Sequence, residues 1–128
     1  MEPVHKRVAE LWWKNRKLRM RLSVNEINDW NTSLDWIVHY KHKKHWFEFT
    51  IANIRAHEKE YGRIPDSIRE YWEEALDANL EHCWAVHKMH EMGRLAVAIG
   101  QTEWAHEICA VLDEMGEGEG AKRTWAEG

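Results

Sequence analysis

The sequence predicts an all-α fold, a single-domain bundle of four to five helices, and three observations predict it. Only two prolines and seven glycines interrupt 128 residues, and four of those glycines lie at or beyond Gly116. Apolar residues recur at helical rather than alternating spacing along most of the chain. Two Ser-x-x-Glu capping boxes, Ser23–Glu26 and Ser67–Glu70, mark where helices begin, the serine accepting from the backbone and the glutamate reaching back. At 44% hydrophobic the chain is long enough to bury a real core.

The elements follow in order. Pro3 suits a first helical turn, where its missing N–H has no partner to lose. Val4, Val8, Leu11, Trp12, Leu18 and Leu22 then share one side of a helix that stops before Ser23. The segment 24–60 is expected to be the longest helical stretch. Ile27, Trp30, Leu34 and Ile37 define one face, while Phe47, Ile51 and Ile54 define a face rotated by about a third of a turn. It is therefore one long helix that changes partners or two helices with a kink between them. Tyr61-Gly-Arg-Ile-Pro65 breaks it. The next helix has the cleanest pattern, with Ile68, Trp72, Ala75, Leu76, Asn79, Cys83, Val86 and His90 on one arc and Glu70, Glu73, Glu74, Asp77, Glu81 and Lys88 opposite. Gly93 weakens or ends it, Gly100 closes the following apolar piece, and Thr102 is the expected N-cap of the last helix. Trp72, Leu76, Cys83, Trp104, Ile108 and Leu112 are expected in the core. The single domain spans residues 1–115, and the glycine-rich, charged segment 116–128 is expected to be a disordered tail. A weak internal echo at an offset of 42 relates the stretches that start at Leu22 and Ile64.

Composition narrows the function classes. No segment resembles a signal peptide or is apolar for long enough to span a bilayer, so no membrane partner is expected. Cys83 and Cys109 are too few for a disulfide scaffold and fit a reduced, cytosolic setting. Charge is uneven. Residues 1–21 carry a net +5, residues 22–60 a net −1 and residues 61–128 a net −8. Internal pairing of a basic first helix with acidic later ones is the simplest account, and a bipolar surface for partners is the sharper one. The chain has no Gly-rich phosphate loop, nucleophile elbow or HExxH motif, and no enzymatic activity or cofactor is expected.

Four features are candidates for chemistry. On the first helix Lys6, Arg7, Lys14, Lys17 and Arg21 gather on one arc with Trp13 at its edge. In HYKHKKHW, His39, His42 and His45 stand three residues apart with Lys41, Lys43 and Lys44 among them and Trp46 at the end. A helix would place these histidines within about 120° of arc, but the lysines repel a cation. The expectation is an exposed helical turn without metal that meets an anionic surface, more strongly as histidines gain protons below about pH 6.5. Cys83 with His87, and His106 with Cys109, form two helical pairs that could suit tetrahedral zinc. Both cysteines sit on apolar stripes, however, and the ordinary core reading is preferred. Asn79 is central in an apolar arc. It either hydrogen-bonds within the core or sets the register of a homodimer.

Three pieces, VHKRVAELW (from Val4), LDANLEHCW (from Leu76) and TEWAHEIC (from Thr102), resemble a family of small uncharacterised proteins of Bacillus-like bacteria and their phages. Residues 35–63 look like an insertion or duplicated unit relative to shorter members. His87 stands where they carry a non-ligand residue, which weakens the zinc reading. The resemblance implies a phage or prophage accessory protein in the cytoplasm of a bacterial cell, and no activity. The leading expectation is thus binding of a protein partner, such as a host or antiviral-defence factor. The alternatives are nucleic-acid binding through the basic first helix and Lys41–His45, and capture of a small nucleotide-like ligand by aromatic stacking.

Overall fold

The computed structural model describes residues 3–117 and Trp125. The architecture is an all-α bundle of α1 (Pro3–Trp12), a π-helical turn (Trp13–Lys17), α2 (Val24–His39), α3 (Trp46–Tyr61), α4 (Asp66–Ala98) and α5 (Thr102–Glu114). There is no strand among the described residues. Contacts gather into two units, one up to Cys83 and one from Trp84.

The N-terminal unit is built from α1, the π-turn, α2, α3 and the first half of α4. Its sequential helices pack side by side, α1 on α2 and α2 on α3. Val8, Trp12, Leu34, Ile37, Ile51 and Leu76 are buried together, so each helix contributes the apolar stripe its sequence carries. Ser23 and Glu26 form the expected capping box of α2. The segment 24–60 is two helices, and α4, with 33 residues, is the longest.

The break answers the question posed by HYKHKKHW. Residues 40–45 are a connection, not the expected helical turn. Its cause is side-chain capping from both directions. Lys43 Nζ donates to the carbonyls of Val38 (3.2 Å) and Tyr40 (2.5 Å), satisfying the last turn of α2. Glu48 Oε1 accepts from the backbone N–H of Lys44 (3.2 Å) and His45 (3.1 Å) ahead of α3. Gly62, at φ 82°, then closes α3 in the left-handed conformation, its N–H bonded to Glu58 O at 2.7 Å.

Two helix starts differ slightly from expectation. α4 begins at Asp66, so Ser67 lies inside its first turn. α5 is preceded by Gln101, which supplies no side-chain cap, and Thr102 is already helical. In the first segment the chain leaves helical geometry at Leu18, which is exposed, although its spacing placed it on the apolar side.

In the C-terminal unit Val86, Ala96, Ala105, Ile108 and Leu112 bury a smaller core, and Trp104 lies half-buried against it. Trp125 also belongs to this core, at 3% exposure, with its indole N–H donating to His90 Nδ1 at 3.1 Å. A disordered tail is therefore not the state of Trp125. Residues 118–124 and 126–128 of that segment lie outside the described residues. Gly93 neither ends nor breaks α4. A Cβ there would fall inside the Trp125 indole, so the missing side chain makes room for a ring. No helix among the described residues is long and apolar enough to cross a membrane.

Candidate protein-docking surface

The basic residues of the first segment meet acids from α2 and α4. Arg7 donates to Asp29 through Nη2 (2.8 Å) and Nε (3.2 Å), and also to Glu10. Lys14 Nζ grips both oxygens of Glu26 at 2.7 and 2.8 Å. That contact, with the Ser23 backbone N–H, holds the Glu26 carboxyl down at about 2. Arg16 pairs with Glu73 at 3.2 Å while lying over the Trp12 ring. Internal pairing therefore accounts for much of the positive arc. Lys6, Lys17 and Arg21 remain exposed and make no ion pair among the described residues, and Trp13 packs half-buried against the core.

The loop residues diverge. His39, Lys41 and His42 line a shallow cleft of about 510 Å³ beside Trp36 and Tyr40, whose rings stack at 4.8 Å. His45 is turned the other way, stacked on Phe47 at 5.1 Å and 4.4 Å from the His82 ring. The three histidines form no converging ligand set among the described residues. Lys44 is exposed.

The cysteine and histidine pairs fare similarly. Cys83 is buried in the N-terminal unit with Sγ 3.7 Å from His5 O. In the C-terminal unit His87 and His106 are exposed and Cys109 is half-buried, and these three form no converging set of three ligands among the described residues. Asn79 takes the intramolecular alternative. It is fully buried and donates Nδ2–H to His5 O at 3.1 Å.

One buried pair was not among the sequence candidates. His5 Nε2 lies 3.1 Å from Glu48 Oε2, and both side chains are almost fully enclosed. Burial pushes the Glu48 carboxyl up. Hydrogen bonds from His5 and from the Lys44 and His45 backbone outweigh it and hold the carboxyl below its ordinary range. The signal was spacing, since His5 shares the buried face of α1 with Val8, Ala9 and Trp12.

An acidic surface lies between α3 and the first half of α4. A cleft of about 530 Å³ is lined by Trp46, Glu70, Glu73, Glu74, Asp77, Ala78 and Glu81. Glu70, Glu74, Asp77 and Glu81 follow one another about a helical turn apart, on the arc opposite Trp72 and Leu76. Arg16 compensates Glu73, and the Trp12 indole N–H donates to Asp77 Oδ1 at 2.7 Å. Glu70, Glu74 and Glu81 make no ion pair among the described residues. Trp46, 55% exposed, forms the cleft's aromatic wall. Of the sequence candidates for partner binding, only Trp46 lines this cleft.

Fold and surface define a small all-α helical-bundle protein with an acidic, aromatic-walled cleft. The chain belongs to the family of unknown function DUF7667, whose model matches residues 1–120. No curated protein and no solved structure matches it.

Proposed function

We propose that this protein acts by binding a protein partner, and that it captures an Arg/Lys-rich segment of that partner in the Trp46–α4 cleft. The observation that supports this reading is the set of uncompensated carboxylates beside an exposed indole. Like charges three or four residues apart on a helix cost about 0.2–0.5 kcal/mol per pair. A cationic segment relieves that repulsion, and an arginine can stack on Trp46 while its guanidinium bonds a carboxylate. An acidic helix face also imitates a phosphate backbone, which makes a nucleic-acid-binding protein a fitting target. The phage or prophage setting, with a host or antiviral-defence factor as partner, draws on the VHKRVAELW, LDANLEHCW and TEWAHEIC resemblance. It is part of this proposal.

The test is titration of a labelled Arg/Lys-rich peptide into the protein at low and high salt. Binding is expected to weaken as salt rises, to fall with Trp46→Ala, and to vanish in a Glu70→Lys, Glu74→Lys, Glu81→Lys triple variant. Because all four side chains are solvent-facing, circular dichroism should show the helices intact. Undiminished binding by the triple variant would refute the proposal.

A further inference from the structure

A second cleft, at the end of α1, has a different chemistry. Its floor is Leu11 and Trp12, its walls are Trp30 and Leu22, and Ile27, Asn15 and Arg21 stand at its rim. We propose that it binds a small organic acid, with the apolar or aromatic body of the ligand inside the cleft and its anionic group on Arg21.

The backbone opens this space. After Trp12 the helix widens into a π-turn, a feature often found at functional sites. The chain is then held by bonds from Leu18 N to Trp13 O (3.1 Å) and from Met20 N to Lys14 O (3.0 Å). Asn15 Nδ2 adds a third bond to Met20 O at 3.2 Å. Arg19 adopts φ 53°, the one non-glycine residue with positive φ among the described residues. Such strain is kept only where the surroundings over-determine it. Here it carries the chain round so that Arg21 and Leu22 close the cleft, on a loop already pinned in place.

Size and polarity select the ligand. About 320 Å³ lies at the lower end of the range for small-molecule sites, room for a ring system or short acyl chain and too little for a helix. The Trp12 and Trp30 rings are nearly parallel, 18° apart in plane with centroids 6.3 Å apart, and give the cleft an aromatic lining. Charge adds a sign. Arg7, Lys14 and Arg16 are engaged by Asp29, Glu26 and Glu73. Arg21 makes no ion pair among the described residues, and its guanidinium fork matches a carboxylate in shape. No nucleophile or carboxylate lines the cleft, so the ligand is held rather than transformed.

The test uses 1-naphthoate, octanoate and the neutral isostere 1-naphthalenemethanol, followed by chemical-shift changes at the Trp12 and Trp30 indole N–H signals. Both acids are expected to shift those two signals. The exposed substitution Arg21→Gln should weaken 1-naphthoate at least tenfold, to the level of the neutral alcohol, while leaving the alcohol unchanged. Ile27→Trp, which fills the cleft, should abolish binding of all three. Failure of the acids to bind at millimolar concentration would overturn the proposal. So would binding that Arg21→Gln leaves unchanged, or shifts centred on other tryptophans.

Discussion

Replacing Glu48 by alanine removes the acceptor for three donors at once: His5 Nε2 at 3.1 Å, Lys44 N at 3.2 Å and His45 N at 3.1 Å. The two backbone groups lie in a part-exposed connection and can turn to water, so their loss resembles that of a helix cap, about 1 kcal/mol. The imidazole cannot. Its residue is 3% exposed, and its Nδ1 makes no hydrogen bond among the described residues. Leaving a buried polar group unsatisfied costs about 1–3 kcal/mol. Glu48→Ala should therefore destabilise by about 2–4 kcal/mol in urea denaturation. Glu48→Gln keeps an acceptor for the backbone and should cost about 1–2 kcal/mol. Acid adds a second, independent readout. Because the folded carboxyl titrates below its ordinary 4.5, its contribution is fully present above that pH and is lost as pH falls through the folded value. Glu26 and Asp35, also lowered, contribute equally to wild type and variant. The extra acid sensitivity of wild type over Glu48→Gln below pH 4.5 thus belongs to Glu48. An alanine variant within 0.5 kcal/mol of wild type, or identical acid slopes, would refute the reasoning.

In the C-terminal unit, Trp125→Ala should cost about 3–5 kcal/mol and Gly93→Ala about 1–3 kcal/mol. The double variant should be no less stable than Trp125→Ala alone, because the atoms nearest a Cβ at Gly93 all belong to the indole. Additive losses in a double-mutant cycle would argue against the Gly93–Trp125 fit. The Glu26 carboxyl should titrate near 2 by NMR, so its capping contact persists well into acid and is lost as pH falls from the ordinary carboxylate range toward that value. Lys14→Met should raise this pKa, though not fully to normal, since the Ser23 N–H still donates to the carboxylate.

How much of this was legible in the chain depends on whether a feature is local. Ser23 and Glu26 are three residues apart and cap the same helix, so the start of α2 could be read directly. The stripe of Trp72, Leu76 and Cys83 needs only a wheel. The gap between α2 and α3 has no glycine or proline to announce it. It is made by Lys43 folding back on Val38 and Tyr40, and by Glu48 reaching forward to the loop, contacts that propensity does not encode. The basic arc was visible as composition, but its neutralisation required Asp29, Glu26 and Glu73 to be placed beside it. Trp125 was hidden for a different reason. Its glycine-rich flank reads as tail, and the position that accepts it, Gly93, lies 32 residues earlier and reads as a helix defect.

Trp12 shows why the two candidate surfaces of the N-terminal unit are hard to separate from its core. Its ring face bounds the apolar cleft opposite Trp30, and Arg16 lies over the ring at 5.8 Å from its centroid. Its N–H meets Asp77, and Arg16 in turn meets Glu73, both on the wall of the acidic cleft. The indole is itself buried within the hydrophobic cluster, so its bond to Asp77 cannot move without disturbing packing. Cationic and aromatic side chains at the end of α1 thus hold the middle of the acidic stripe in place. Glu70, Glu74 and Glu81 stay available on either side of it. The sequence concentrates positive charge at one end of the chain and negative charge beyond it. Folding cancels much of the two where they meet and leaves carboxylates exposed beside Trp46 and the Arg21 guanidinium at the mouth of an apolar cleft.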